Sequence, residues 1–288
     1  MAWTRYDSQL PNIYYDSSTL RSRTPGAAPN NQPLRFDLFA EDWEAGVRLA
    51  LDNLYKNAPF RTSRVVIDGV VSTGEPVLIV PNNQGPHSET QPVNFSNPNP
   101  QVPPYQAASV YGLTELDPNG NPLPGNPVGA GTGSGVRIRF TPQDYLGIVA
   151  QPAGPPDEAL IHELVHALRI SNGIVRPVAV PVKFGLTYDN VEELLTVTVA
   201  NIYRSEQISR PHLRADHHGH RPLQQPFTDP ETFYLTYDQE LNGILDWMPI
   251  LFSQVALVAC RFNPVRACLK HKLGIQKDSD VVDLGLRP

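Results

Sequence analysis

One five-residue run, His162-Glu163-Leu164-Val165-His166, has the residue types and the spacing of a metal site. In an α-helix, residues four positions apart lie one turn apart on the same face. Both imidazoles can therefore bind one ion at Zn–N distances of about 2.0–2.1 Å. The glutamate between them is poorly placed to be a ligand, but it can take the proton of a water that attacks a carbonyl group. We expect Zn²⁺ bound by His162 and His166, with Glu163 as the general base.

The alternative is that the two histidines stand four positions apart on a core helix by chance. The glutamate between them would then be only a surface charge. From average composition, this pattern arises by chance in roughly one chain of this size in a hundred. Here it also lies among apolar residues at 161, 164, 165 and 168, as a helix packed beside a sheet requires. The metal site is therefore the favoured interpretation.

A catalytic zinc of this type needs a third protein ligand and an open fourth position. Glu192 and Glu193 lie in an otherwise apolar segment that is predicted to be helical. A carboxylate in such a helix is costly unless it is paired or binds a metal. Neighbouring residues point about 100° apart around a helix, so only one of the two should face the ion. We favour Glu193, with Glu192 as the alternative, and one of them can be a first-turn charge near the positive helix end.

A polar, histidine-rich segment downstream offers a rival third ligand, although it can equally be a solvated loop. Its histidines are His212, His217, His218 and His220. The chemistry also needs a group that stabilises an oxyanion. The candidates for that role are Arg214, His218, Tyr203, Tyr234 and Tyr237. Ligating imidazoles usually donate their second N–H to an acceptor, for which Thr196, Asn201 and Asp216 are available.

The predicted elements that position these residues are helices and short strands. Helices are predicted over Asp42–Asn57, Pro155–Gly173, Asn190–Ser205 and, bent near Pro249, Asp238–Phe262. Strands are predicted over Ser63–Val71, Pro76–Val80 and Val136–Phe140, the last with arginines on one face. Residues 81–135 are rich in Pro, Asn, Gly and Gln, which predicts a surface excursion with brief pairing over Val110–Leu116.

Composition limits the classes of partner. The chain has 288 residues, 40% of them hydrophobic, and a net charge of -6 without a basic run, so nucleic acid is a poor partner. No apolar run reaches the roughly 18–20 residues that span a bilayer. Residues 1–20 lack the apolar region of a Sec signal peptide. We expect a protein made in the cytoplasm, without stable membrane insertion, whose Cys260 and Cys268 are free buried thiols.

The run from His162 to Ala167, followed by Glu192-Glu193-Leu194-Leu195-Thr196, resembles the gluzincin-type zinc peptidases of bacterial toxins and secreted effectors, including clostridial neurotoxin light chains. In those proteins the second glutamate of the similar run is the third zinc ligand, which implies Glu193. The separation of 27 residues (193 − 166) is shorter here. No secure counterpart of their transition-state arginine and tyrosine is identified.

The stretches 201–206 and 213–219 are also similar to HExxH toxin domains attached to bacterial secretion machinery and to NleD-like effector peptidases. The resemblance implies an α+β, zincin-like metallopeptidase domain, with a small twisted sheet packed on the active-site helix and on the glutamate-bearing helix. We assign residues 33–273 to this domain, 1–32 to a flexible arm or linker and 274–288 to a C-terminal tail. The strand before the first motif would be the sheet edge to which an extended substrate adds.

The expected activity is that of a zinc metalloendopeptidase acting on a protein or peptide. Delivery by a dedicated secretion system, a secretion-machinery carrier and a cognate immunity protein are compatible with the resemblance. Two other functions stay open: a zinc-containing binding module without catalysis, and a metal-dependent amidase that acts on cell-wall peptide.

Overall fold

The computed structural model is an α+β structure, with a mixed five-stranded sheet, a two-stranded sheet and eight α-helices among its described residues. The described residues are 3–23, 38–56, 61–82, 87–93, 95, 113–116, 122–128, 133–146, 154–176, 179–210, 212–216 and 221–275. Within them, no helix combines the length and the apolar composition needed to cross a membrane.

Seven strands form the two sheets. They are β1 (Thr4–Asp7), β2 (Leu10–Tyr15), β3 (Val77–Val80), β4 (Glu89–Val93), β5 (Leu113–Leu116), β6 (Pro122–Val128) and β7 (Gly135–Arg139). The larger sheet has the order β1-β2-β3-β7-β4, in which β2, β3 and β7 run parallel while β1 and β4 pair antiparallel at the two edges. Strands β5 and β6 pair with each other.

One face of the sheet builds the core. Residues in register across the parallel strands, such as Ile13, Val77 and Val136, are fully buried because alternate side chains of a strand share a face. The other face of β7 carries Arg137 and Arg139. The predicted strand with one charged face is therefore confirmed.

The helices are α1 (Ala40–Tyr55), α2 (Arg61–Thr73), α3 (Pro156–Ser171), α4 (Val191–Ser205), α5 (Pro230–Thr236), α6 (Asp238–Trp247), α7 (Pro249–Ala256) and α8 (Pro264–Leu273), with a 3-10 helix at Pro142–Tyr145. Helix α3 contacts β4 and β7 as well as α1, α2 and α4. It begins after Pro155, with acidic residues in its first turn, as predicted. The predictions of α1, α3, α4, β3 and β7 are confirmed.

The strand predicted over Ser63–Val71 is wrong, because these residues belong to α2. Their β-branched side chains favoured a strand, but such propensities are weak and tertiary packing overrides them. Val66 and Val70 are one helical turn apart and both are buried, so the helix presents an apolar face to α3 and α7. The spacing of these buried valines therefore indicates the structure of the segment better than its β-branched composition does.

The flexible arm predicted over residues 1–32 is also wrong for its first half. Strand β2 lies between β1 and β3, and its residues Leu10, Ile13 and Tyr15 are at most 1% exposed. Burial of these side chains and pairing with β3 hold the segment in the fold. Residues 24–37, and residues 276–288 of the predicted tail, lie outside the described part of the chain.

Three further predictions need correction or qualification. Strand β7 is not the sheet edge, because β4 pairs with its outer side and occupies the edge. The long helix predicted over Asp238–Phe262 is divided into α6 and α7 at Met248, since Pro249 restricts the backbone before it. The brief pairing predicted near Leu116 is confirmed for β5, while residues 110–112 lie outside the described residues. Cys260 and Cys268 are free thiols, as predicted; of the two, Cys268 is buried as expected, whereas Cys260 is only partly buried.

Candidate metal centre

Helices α3 and α4 bring two histidines and a glutamate together. His162 and His166 project from one face of α3, with their ring centroids 4.9 Å apart. Helix α4 packs against α3 and begins at Asn190, whose side chain accepts a hydrogen bond from the backbone N–H of Glu193. This N-cap fixes Glu193 in the first turn of α4, opposite the two imidazoles.

The distances among the three side chains suit a tetrahedral ion. Oε2 of Glu193 lies 3.4 Å from Nε2 of His162, and Oε1 lies 3.3 Å from Nε2 of His166. Ligands at zinc distances of about 2.0–2.1 Å in a tetrahedron are about 3.3–3.5 Å apart. One ligand atom from each residue lies within 4.8 Å of the other two, so the group could hold a metal ion. Two imidazoles and a carboxylate are also a donor set of catalytic zinc sites.

The two histidines and Glu193 shift one another's pKa values. Burial lowers the pKa of His162 to about 3, against the opposing effect of Glu193, so this ring is neutral. Burial also acts to lower the pKa of His166, but Glu193 and Glu192 outweigh it and raise that pKa well above the usual range. Burial acts to raise the pKa of Glu193, yet the adjacent imidazoles hold it well below the usual range. The raised pKa of His166 favours the protonated ring, so a proton and a metal ion would compete for this group of side chains.

Glu192 lies behind His166 instead of at the centre. Its two carboxylate oxygens accept hydrogen bonds from Nε of Arg169 at 2.7 and 2.8 Å, and Oε2 also accepts from the backbone N–H of Arg176. Oε1 lies 3.6 Å from Nδ1 of His166, the ring nitrogen that faces away from Glu193. Burial acts to raise the pKa of Glu192, but Arg169 and His166 lower it overall. The structure therefore groups Glu193, and not Glu192, with the two histidines.

Thr196 contacts Nδ1 of His166, the ring nitrogen that faces away from Glu193. Its hydroxyl donates to the carbonyl of Glu192 at 2.8 Å and lies 3.3 Å from Nδ1 of His166. Because that hydroxyl proton is used, its oxygen is free to accept from Nδ1–H, which leaves the lone pair of Nε2 for a metal. Of the other predicted partners, Asn201 hydrogen-bonds the backbone of Arg214, and Asp216 pairs with Arg221.

Glu163 is held by residues that the sequence did not indicate. Oε2 of Glu163 accepts a hydrogen bond of 2.5 Å from Oγ1 of Thr90 on β4, and Ser88 also hydrogen-bonds the carboxylate. The hydroxyl of Tyr145, at the end of the 3-10 helix, donates to Oγ of Ser88 at 3.1 Å. Burial raises the pKa of Glu163, although these hydrogen bonds oppose the rise. No local pattern marked Ser88, Thr90 or Tyr145, because their contacts with α3 join distant parts of the chain.

Among the candidate oxyanion partners, Arg214 acts on the site. It is buried, and its charge adds to the effect of burial in lowering the pKa of His162. Burial lowers the pKa of Arg214 itself, while Glu193 and Tyr145 act to raise it. Asn201 fixes the Arg214 backbone through two hydrogen bonds of 2.8 and 2.9 Å, so α4 positions this residue too.

The other candidates contact residues outside the group of His162, His166 and Glu193, or are not described. Tyr203 donates to Oδ2 of Asp157, Tyr237 packs against Tyr188 and Phe233, and Tyr234 packs against His271. His212 is exposed, while His217, His218 and His220 lie outside the described residues. The sequence did not indicate Tyr145. Burial raises the pKa of this tyrosine, its hydrogen bond with Ser88 opposes the rise, and the charge of Glu163 adds to it.

Comparison with protein-family models, with curated proteins and with solved structures finds no match to this chain. The candidate metal centre therefore rests on its own residues: the distances between His162, His166 and Glu193, and the buried carboxylate of Glu163 beside them.

Proposed function

We propose that this chain is a zinc-dependent metallopeptidase of the zincin type. The observation that carries the proposal is the carboxylate of Glu193, whose oxygens lie 3.4 and 3.3 Å from Nε2 of His162 and His166. These three residues would hold the zinc. When bound, zinc supplies a Lewis acid that polarises a carbonyl group and lowers the pKa of water.

Glu163 would be the proton carrier of the reaction. Its carboxylate would accept a proton from the attacking water and pass it to the leaving amine. Burial raises its pKa above the usual glutamate value, a direction that suits a group that must both accept and return a proton. Arg214 and Tyr145 are the candidates to stabilise the oxyanion, since the buried charge of Arg214 acts on His162, and the hydroxyl of Tyr145 donates to Ser88 beside Glu163.

The substrate is proposed to be a protein or peptide. A role as a secreted bacterial effector or toxin, delivered by a carrier and countered by an immunity protein, is proposed from the sequence resemblance alone. Among the described strands, β4 at the sheet edge, which contacts α3, is the place where an extended substrate would add, in place of β7.

The test compares Glu163→Gln with His166→Ala. We expect Glu163→Gln to keep one equivalent of zinc and to lose about 10²–10⁴-fold in hydrolysis, the usual contribution of general acid–base catalysis. His166→Ala should lose both zinc and activity. Metal analysis and cleavage of a peptide library measure the two properties separately.

Purified peptidoglycan is the second substrate in this test. Cleavage of peptidoglycan without cleavage of peptides would favour the amidase alternative. Stoichiometric zinc without hydrolysis of either substrate would favour a binding module. Undiminished peptide hydrolysis by the Glu163→Gln variant would refute the mechanism.

A further inference from the structure

The two faces of β4 differ in what they contact. Ser88 immediately precedes β4 and Thr90 is the second residue of the strand, and both hydrogen-bond the carboxylate of Glu163. On the opposite face, Glu89 accepts from Gln91 and pairs with Arg139 of β7 at 2.9 Å. The start of β4 and the residue before it thus present two hydroxyl groups to α3, and the other side of the strand carries a separate polar cluster.

The hydroxyl groups of Ser88 and Thr90 can both donate their protons to the carboxylate of Glu163. Tyr145 donates to Oγ of Ser88, so the hydroxyl proton of Ser88 is available for the carboxylate. Thr90 lies 2.5 Å from Oε2 of Glu163 but 3.3 Å from the backbone carbonyl of the same residue, so its proton belongs to the carboxylate. A carboxylate has about four acceptor positions, and two donors leave the others for water and substrate.

We propose that Thr90 and Ser88 are positioning residues that fix the carboxylate of Glu163 for proton transfer. A glutamate side chain has three rotatable bonds, and holding it in one orientation costs entropy unless hydrogen bonds fix it in advance. The inference rests on the proposed function and deepens it. Because Thr90 lies on the edge strand and Ser88 directly precedes it, the orientation of Glu163 depends on where this segment lies against α3.

A purely structural role predicts a different response to substitution. Thr90→Val keeps the branched shape and the strand preference but removes the hydroxyl, whereas Thr90→Ser keeps the hydroxyl but removes the methyl group. Positioning therefore predicts a loss in Thr90→Val that Thr90→Ser rescues. If Thr90 only packs β4 against α3, the serine variant should be the more damaged.

The experiment measures kcat, KM, zinc content and the carboxyl stretching band of Glu163, assigned by infrared difference against Glu163→Gln. In Thr90→Val we expect kcat to fall about 10–100-fold, as for other outer hydrogen-bond partners in metal sites, with KM and zinc content unchanged. The Glu163 band should shift in the same variant. Thr90→Ser should recover most of kcat and the wild-type band.

Thr73→Val is the matched control, because it removes the same hydroxyl at the end of α2, where Thr73 donates to the carbonyl of Val70, and should leave kcat and the band unchanged. A normal kcat or an unshifted band in Thr90→Val would overturn the positioning role while leaving the proposed peptidase activity intact. If the wild type hydrolyses nothing, the peptidase proposal fails, and with it the catalytic purpose of Thr90, whereas a shifted band would still show its contact with Glu163.

Discussion

Glu192 and Glu193 are neighbours in sequence with different surroundings. Glu193 faces Nε2 of both histidines, whereas Glu192 faces Nδ1 of His166 and pairs with Arg169. The turn of about 100° between successive helical residues separates them. One carboxylate is thereby available to an ion, and the other orients the imidazole that would bind it.

Substituting the two glutamates should separate these roles. Glu193→Ala removes a proposed ligand and should lose more zinc affinity than Glu192→Gln, for which about 10–100-fold is expected of an outer partner. Glu192→Gln should instead destabilise the metal-free fold, because Arg169 would be left as a buried charge, at a cost of about 3–5 kcal/mol. Zinc competition titrations and denaturant unfolding measure the two effects.

Unchanged zinc affinity in Glu193→Ala would move the third ligand elsewhere, with His217, His218 and His220 as the first residues to test. Equal stability of the wild type and Glu192→Gln without metal would remove the structural role given to the ion pair with Arg169.

At the scale of elements, a buried charge cluster joins α3 to α4. Asp157 accepts hydrogen bonds from Tyr203 and Arg210, and Glu158 pairs with Arg204. All these groups except Arg210 are at most 4% exposed. The cluster lies at the first turn of α3 and sets how the histidine-bearing helix lies against the helix that carries Glu193.

Substitution of Gly154 tests whether this charge cluster fixes the position of α3 against α4. The φ of Gly154 is +72°, and a Cβ atom there would lie 2.1 Å from Oε2 of Glu158. Gly74 also has a φ of +72°, but its Cβ would meet nothing within 4 Å. Gly74→Ala should therefore cost only the backbone strain, about 1–2 kcal/mol. Gly154→Ala should cost more, because Glu158 must also move away from Arg204, and breaking a buried pair costs about 3–5 kcal/mol.

Denaturant unfolding of the two variants gives the difference directly. Equal losses in free energy of unfolding would mean that the Glu158 side chain can move at little cost, and that the pair does not fix the junction.

The same elements explain what the sequence could predict. His162 and His166 were predictable because helical periodicity is local, and Glu193 because its carboxylate lies in an apolar helix. Strand β4 was not, since an edge strand pairs on one side only and needs no apolar alternation. The contact of Thr90 with Glu163 spans 73 residues of sequence, so only the pairing of β4 with β7 brings it about. The segment that was predicted to be a surface excursion thus supplies Thr90, the hydrogen-bond partner of Glu163.

For the molecule as a whole, the candidate site lies at the centre of the fold. Almost every residue of α3 is buried, and the helix contacts the sheet and three other helices. Glu193 reaches the histidines from α4. A cation held by both helices would bind the folded chain and not the unfolded one, so zinc binding should be coupled to global stability.

Zinc should therefore raise Tm, and more strongly at pH 8 than at pH 6. At a free zinc concentration 100 times Kd the stabilisation is about 2.7 kcal/mol. In the metal-free protein the raised pKa of His166 stabilises the fold below the usual histidine pKa of about 6.5. That contribution is lost as the pH rises through the raised pKa. Zinc must displace this proton, so its apparent Kd should rise about tenfold for each unit below that pKa.

Thermal unfolding at both pH values, with and without zinc, measures the effect, and calorimetry in buffers of different ionisation enthalpy counts the released proton. Glu193→Ala is the control, since it removes both the proposed ligand and the charge that raises the pKa of His166. An equal zinc-induced shift in Tm at the two pH values would mean that His166 is already neutral. The proton and the metal would then not compete for the position between α3 and α4.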